Sequence, residues 1–231
     1  SLEQAVAAPM CSCRLADAGA RVIKIERPEG DFARGYDALA KGQSTYFVWL
    51  NRGKESLVLD LAKSDDKALL EAMLAKADVF IQNLKPGSVA KLGFAIERLR
   101  RDHPRLIVCS VSGYGESGPY AQRKVYDMLI QAEAGVASVT GGPEAPSRVG
   151  VSVCDIASGM NAYEAILEAL IGRGRTGQGQ RVELSMIESL IHFSNEPFAY
   201  FFQNGRSPGP AGQTRPRVMR LYSARRAKQN N

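Results

Sequence analysis

The chain has 231 residues, 45% of them hydrophobic and 23% charged, a composition typical of a globular domain that buries a substantial core. No apolar run approaches the roughly 18 residues of a membrane helix, and no signal-peptide pattern is visible, so we expect no membrane partner. The net charge is +6, but seven of the 30 basic residues and none of the 24 acidic ones lie in residues 206–231. A nucleic-acid-binding function would therefore rest on that basic tail alone, and we expect no nucleic-acid partner.

The first residues resemble the end of a strand that leads into a helix over residues 9–18. We therefore expect an incomplete first strand, with residues missing before Ser1. Further strands are predicted over residues 21–26, 55–60, 78–83 and 105–112, and helices over residues 64–76, 87–92 and 124–137. This alternation predicts an α/β fold, a Rossmann-like open and largely parallel sheet flanked by helices, with one domain over residues 1–205.

Four cysteines and two histidines lack the paired spacing of a zinc site. We predict reduced, mostly buried thiols, no metal and a cytoplasmic location. The cysteines are Cys11, Cys13, Cys109 and Cys154.

Residues 149–186 organise the second half of the chain as an apolar lead-in, a helix over residues 156–171, a glycine turn and a strand. Asp155 stands just before this helix and is predicted to be its N-cap. Because the helix dipole favours a negative charge there, we expect Asp155 to be ionised at neutral pH. Most aspartates at such positions are only caps, so the spacing alone favours a structural role.

Two segments match the pattern Gly-x-Gly-x-x-Gly, over residues 113–118 and 172–177. The second follows a helix and precedes a strand, the reverse of a dinucleotide-binding site, and the first lacks the acidic residue about 20 positions later. Both features argue against a nicotinamide enzyme. The last predicted helix, residues 185–203, is rich in aromatic side chains and interrupted at Pro197, which favours core or a dimer interface.

Several ordered segments resemble the class III CoA-transferases, which include formyl-CoA:oxalate and crotonobetainyl-CoA:carnitine CoA-transferase. The resemblance extends to about Pro216 and covers most of the chain. It rests on residues 7–9, 15–20, 22–28, 82–87 and 112–120, and on Asp155 followed by residues 158–160, 176–180 and 185–186. It implies that residues 1–205 form the family's large domain.

The resemblance also implies the site residues and the substrates. Asp155 would be the catalytic nucleophile, with a coenzyme A thioester and a carboxylic acid as substrates, succinyl-CoA as one donor, and no permanently bound cofactor. CoA phosphates would meet Arg27, Lys91 and Lys124; the adenosine end would meet Leu59, Asn83, Leu84 and Lys85; the thiol end would meet Ala7 and Tyr126. Family members form interlocked dimers, so we expect a homodimer.

The mechanism implied by the resemblance is covalent, through an aspartyl anhydride and an aspartyl-CoA thioester at Asp155. A racemase of the same superfamily uses a His-Asp dipeptide where this chain has Tyr126 and Asp127. Tyrosine, with an ordinary pKa near 10, is a poor base at neutral pH, so a transferase is favoured.

Two departures from the family pattern keep an alternative open. Val6 stands where some members carry glutamine, and after Pro216 the family's small domain, with its glycine-rich loop, is replaced by basic residues 217–231. A non-catalytic CoA-binding protein is therefore the second hypothesis.

Overall fold

Parallel strands form two sheets in the computed structural model, which describes residues 1–142 and 144–210. In the first sheet β1 (Val22–Glu26) pairs with β2 (Lys54–Val58), with Val22 opposite Lys54. In the second, β4 (Ile107–Ser112) lies between β3 (Val79–Gln82) and β7 (Arg181–Ser185). A short antiparallel pair consists of β5 (Gly141–Gly142) and β6 (Ala145–Pro146). The predicted α/β class with largely parallel pairing is confirmed.

Helices connect and cover these strands. They are α1 (Ala7–Asp17), a 3₁₀ turn (Phe32–Gly35), α2 (Thr45–Asn51), α3 (Ser64–Leu74), α4 (Ser88–Lys91), α5 (Ile96–Asp102), α6 (Asp127–Glu133), α7 (Val136–Val139), α8 (Val153–Thr176), α9 (Met186–Phe193) and α10 (Asn195–Asn204). No helix among the described residues combines the length and the apolar character needed to cross a bilayer. Residues 211–231, most of the predicted basic tail, lie outside the described residues.

Ser1 and Leu2 join the two sheets. The Ser1 amine donates to the carbonyl of Ile23 at 2.7 Å, and Ser1 accepts from the amide of Ile25 at 2.8 Å. Leu2 donates to the carbonyl of Ile81 at 2.8 Å. Both residues therefore run parallel to β1 and β3, between them, and the strands follow one another in the order β2, β1, Ser1 with Leu2, β3, β4, β7.

The core lies where α1 crosses α8 against β4, all six residues of which are buried. Gly159 permits this crossing: a Cβ atom there would lie 2.6 Å from the carbonyl oxygen of Ala7 and 2.6 Å from the Cβ of Met10. The start of α1 is thus held one helical turn beyond Asp155.

Two helix predictions need correction. The predicted helix over residues 124–137 is two helices, α6 and α7, because Gly135 takes a positive φ of 78° between them. The predicted helix over residues 185–203 breaks at Ser194 rather than at Pro197. Pro197 is the third residue of α10, where the first turn needs no amide hydrogen from it.

The glycine turn after α8 ends the helix and packs closely against the backbone of Leu106. Gly177 ends α8 with a φ of 75°, and a Cβ at Gly179 would lie 2.2 Å from the carbonyl oxygen of Leu106. Because α8 has 24 residues, this turn lies about 30 Å from Asp155, at the opposite end of the helix.

Candidate active site

Asp155 lies in the first turn of α8, which begins at Val153. It is the third helical residue, so the predicted N-cap role is wrong. The capping acceptor comes from another helix: Asp127, the first residue of α6, accepts from the amides of Cys154 at 2.8 Å and Asp155 at 3.4 Å. The carboxylate of Asp155 is thereby released from capping.

Burial, followed by the negative charge of Asp127, raises the pKa of Asp155 to about 7 from the ordinary value of 3.8. The expectation of a fully ionised Asp155 at neutral pH is therefore also wrong. The helix dipole does favour the carboxylate, but it acts against burial and a neighbouring like charge. With a pKa of about 7, both the protonated and the ionised form of Asp155 are present near neutral pH.

The side chain of Gln131 holds both Asp127 and the segment that precedes α8. Its side chain is fully buried. The Nε2 atom donates to Asp127 Oδ2 at 2.6 Å, and Oε1 accepts from the amide of Val149 at 2.7 Å. Both ends of one amide are thus used to place the first turn of α8 against α6.

Replacing Asp127 by asparagine is expected to lower the pKa of Asp155. The carbonyl of the introduced carboxamide could still cap Cys154, but the like charge would be gone. Burial remains, so the pKa should fall below about 7 yet stay above 3.8. Carboxyl-carbon NMR titration measures this shift; Glu164→Gln, at an exposed position of α8, is the control. An unchanged Asp155 titration in Asp127→Asn would contradict the assignment.

An aromatic wall reaches the surroundings of Asp155 through Tyr36. It consists of Phe32, Tyr36, Tyr46 and Trp49, whose ring centroids follow one another at 5.8, 5.7 and 6.2 Å. Burial, together with the negative charges of Asp155 and Asp31, raises the pKa of Tyr36 to about 12, so its hydroxyl lies near both carboxyl groups. All four rings remain between 37 and 48% exposed, and therefore open to a ligand.

Asp31 is buried and holds two segments in place: the turn that leads to Tyr36 and the segment just before α1. Its Oδ2 accepts from Lys24 Nζ at 2.6 Å, with both side chains 1% exposed. Its Oδ1 accepts from the amide of Ala33, in the turn that leads to Tyr36, at 2.9 Å. The same oxygen accepts from Ala5 at 3.2 Å, and Ala5 has an unfavourable positive φ of 62° just before α1.

A second feature, the strand-end cleft, lies beyond the carboxyl ends of β1, β2 and β3 and has a volume of about 360 Å³. Three of the residues predicted to bind CoA line it: Arg27, Leu59 and Leu84. Asp31 lines it too, so the cleft reaches the anchor of the aromatic wall. Arg27 is exposed, and its Nε donates to the carbonyl of Gly30 at 3.1 Å.

The other predicted binding residues are dispersed. Lys85, Lys91, Lys124 and Tyr126 are exposed, and Lys85 and Lys91 are sequence neighbours of the cleft residues Leu84 and Leu92. The side-chain amide of Asn83 bonds the backbone of Gln4: Oδ1 accepts from the Gln4 amide and Nδ2 donates to the Gln4 carbonyl, each at 2.9 Å. Ala7 is buried at the start of α1.

Sequence reasoning missed Asp127, Gln131 and Asp31 as parts of the site. In the sequence Asp127 stands out only as half of the dipeptide Tyr126–Asp127, and its contact with the amide of Asp155 spans 28 positions. Within the described parts of the chain, no group of three or more His, Cys, Asp or Glu side chains could hold a metal ion, and the four cysteines are free and buried.

Comparison with known proteins gives consistent matches. A sequence model of CoA-transferase family III matches residues 1–230. Acetyl-CoA:oxalate CoA-transferase of Acetobacter aceti is 40% identical over 90% of this chain and 54% of the relative. Succinate–glutarate CoA-transferase of Agrobacterium fabrum is 37% identical over 94% of this chain and 56% of the relative.

Among solved structures, a CAIB/BAIF family protein from Brucella suis superposes with a TM-score of 0.89 at 36% identity, covering 93% of this chain and 58% of that one. The chain spans about half the length of the curated relatives it matches.

Proposed function

Because the chain belongs to CoA-transferase family III, we propose that it moves CoA from an acyl-CoA to a carboxylic acid through covalent intermediates on Asp155. The observation that carries the proposal is the setting of Asp155. Asp155 is half-buried, its pKa is about 7, and its carboxyl group lies near Tyr36 of the aromatic wall. A poorly solvated carboxylate of raised basicity is a better nucleophile than one in water.

The first half of the reaction loads CoA onto the protein. A carboxylate oxygen of Asp155 attacks the thioester carbonyl carbon of the donor; the carbon–sulfur bond breaks, and CoA leaves as a thiolate. The thiolate then attacks the Asp155 carbonyl of the mixed anhydride. The donor acid departs as a carboxylate, and an aspartyl-CoA thioester remains.

The second half mirrors the first. The acceptor carboxylate attacks the aspartyl thioester and displaces the CoA thiolate, which gives a new anhydride. The thiolate attacks the acceptor's carbonyl carbon, forms the product acyl-CoA and releases Asp155 as a carboxylate. No proton is required in any step, so only the ionised fraction of Asp155 reacts.

The strand-end cleft is the proposed CoA-binding site. Parallel sheets bind ligands beyond the carboxyl ends of their strands, and CoA phosphates need cations there. Arg27, Lys85 and Lys91 are exposed cations in or next to this cleft. Leu59 and Leu84 supply apolar surface for the adenosine, with Lys124, Tyr126 and Ala7 proposed toward the phosphates and thiol end.

Arg27→Ala is expected to weaken CoA binding at least tenfold, since a charge-assisted hydrogen bond contributes roughly 1.5–3 kcal/mol. Arg21→Ala is the matched control, because Arg21 precedes β1 at the opposite end of the same strand. Calorimetric titration with CoA measures both. Equal affinities in the two variants would reject the strand-end cleft as the phosphate site.

We propose dicarboxylic acids as the acids exchanged, because the Acetobacter relative is named for oxalate and the Agrobacterium relative for succinate and glutarate. Incubation with succinyl-CoA and a panel of mono- and dicarboxylates, followed by chromatography of the acyl-CoA products, tests this function. Binding of CoA without exchange of any acid would favour the second hypothesis, a CoA-binding protein.

A homodimer is proposed from the aromatic surface of α9 and α10, where large side chains are left exposed. These are Phe193, Tyr200, Phe201 and Phe202, between 43 and 77% exposed. The free, buried thiols fit a reducing compartment such as the cytoplasm.

A further inference from the structure

Asn51, the last residue of α2, joins two buried ion pairs through one side-chain oxygen. Its Oδ1 accepts from Lys24 Nζ at 3.0 Å and from Lys54 Nζ at 3.2 Å. An amide oxygen has two lone pairs, so both of them are used here. We propose that Asn51 is a positioning residue that sets which carboxylic acids fit beside Asp155. It does so by holding Tyr36, the ring of the aromatic wall nearest to Asp155, and it does not touch the acid. The inference rests on the CoA exchange proposed above.

The first connection from Asn51 to Tyr36 passes through Lys24. The ammonium group of Lys24 also donates to Asp31 Oδ2 at 2.6 Å, and both of these side chains are 1% exposed. Asp31 Oδ1 accepts at 2.9 Å from the amide of Ala33, in the 3₁₀ turn that leads to Tyr36. Hydrogen bonds to charged groups are stronger in the protein interior than in water. Asn51 is therefore connected to the backbone that carries Tyr36.

The second connection is α2 itself. Tyr46 of this helix lies against Tyr36, with the ring centroids 5.7 Å apart, and Trp49 follows Tyr46 at 6.2 Å. Asn51 Nδ2 donates to the carbonyl of Phe47 at 2.8 Å, which fixes the side-chain amide to the helix that carries these two rings. Tyr36 is thus held through its backbone and through its ring, and both connections lead to Asn51.

Lys54 extends this arrangement to α1. Its Nζ donates to Glu3 Oε1 at 2.8 Å and to the carbonyl of Pro9 at 3.0 Å, in addition to Asn51. These three acceptors use all three N–H groups of the ammonium, and the side chain is 2% exposed. Pro9 belongs to the first turn of α1, which packs against α8 at Gly159. The aromatic wall and the start of α1 are therefore attached to the same side-chain amide.

Trp49, the only tryptophan of the chain, reports the position of the wall without any substrate. Asn51→Leu leaves two buried ammonium groups one acceptor short, so we expect α2 to shift. Acrylamide should then quench the fluorescence of Trp49, now 39% exposed, about twofold more strongly than in the parent. Asn51→Asp keeps an oxygen toward both lysines, and its quenching should equal that of the parent.

The matched control for Asn51→Leu is Asn204→Leu. Asn204 is also the last residue of a helix, and its Nδ2 donates at 2.9 Å to the carbonyl of Tyr200, as Asn51 does to that of Phe47. Asn204, however, is exposed at the end of α10. Its replacement removes the same local hydrogen bond and should leave Trp49 quenching unchanged.

Exchange with a short and a long dicarboxylate measures the effect on the reaction. With succinyl-CoA as donor, Asn51→Leu should change the ratio of kcat/KM for oxalate and glutarate at least about fivefold, since a displacement of about 1 Å can cost on the order of 100-fold in rate. A smaller folded fraction alone would lower both rates equally and leave this ratio unchanged. Asn51→Asp and Asn204→Leu should keep the ratio of the parent.

Three results would overturn the proposal: an unchanged acid ratio in Asn51→Leu, Trp49 quenching no stronger than in Asn204→Leu, or an Asn51→Asp variant that behaves like Asn51→Leu. If the parent exchanges no acid, the proposed function fails, and Trp49 quenching alone decides whether Asn51 positions the wall. If Asn51→Leu does not fold, Asn51→Ala takes its place with Asn204→Ala as control, because the smaller side chain leaves room for water at the ammonium groups.

Discussion

Asp155→Asn is expected to abolish CoA exchange, with a loss of at least roughly 1,000-fold in rate, because a carboxamide cannot form the anhydride. The fold should persist, since Asp127 rather than Asp155 caps α8. The parent protein incubated with acyl-CoA should carry an adduct on the peptide containing Asp155, which borohydride converts to the alcohol. Mass spectrometry detects it, and the variant should show none.

The same substitution should change stability in a defined direction. The folded-state pKa of Asp155, about 7, lies above the ordinary 3.8, so the folded protein binds more protons than the unfolded chain. This contribution is complete at low pH and is lost as pH rises through about 7. Above that pH the variant should melt at a higher temperature than the parent, which thermal denaturation at pH 5 and pH 8 would measure.

Glu164→Gln is the matched control for Asp155→Asn. It also removes one carboxylate from α8, but from an exposed position two turns further along. Neither exchange nor the pH dependence of the thermal midpoint should change. If the parent exchanges CoA and Asp155→Asn retains that rate, the nucleophile assignment is wrong; if neither exchanges but both bind CoA, the binding-only hypothesis is preferred.

Lys54→Met should cost about 3–5 kcal/mol of unfolding free energy, because it leaves a buried charge without its partner. Lys54 Nζ lies 2.8 Å from Glu3 Oε1, with side chains only 2% and 0% exposed. Among the described residues, the other carboxylate oxygen of Glu3 has no hydrogen-bond partner. Urea denaturation measures the loss.

Two comparisons make this prediction specific. Removing both charges, as Glu3→Leu with Lys54→Met, should recover much of the lost stability, since no unpaired ion remains. Arg21→Met breaks an exposed ion pair with Glu55 on the neighbouring strand and should leave the unfolding midpoint almost unchanged. A Lys54→Met effect no larger than that of Arg21→Met would show that water reaches the Glu3 pair.

The parallel strands could be predicted because each carries its own local pattern, as in the apolar run that became β4. The place of Asp155 near a helix start followed from the same local reasoning. Its protonation did not, because Asp127 comes from 28 positions away and burial depends on packing. The role of Gln131 could not be predicted either, because a glutamine within a helical pattern gives no sign that both its Nε2 and its Oε1 will form hydrogen bonds.

Because Asp31 is bonded to two separate backbone segments, it affects which parts of this region can change during evolution. One carboxylate, held by Lys24 of β1, fixes both the segment before α1 and the turn that carries Tyr36. The gap between the segment before α1 and the turn that carries Tyr36 is therefore set by the sheet and not by the rings of the aromatic wall. If an acid binds beside Asp155 as proposed, exchanging Tyr36 or its neighbouring rings would reshape the space for that acid while the spacing of the two backbone segments stays the same, so the substrate range can change without a change of fold.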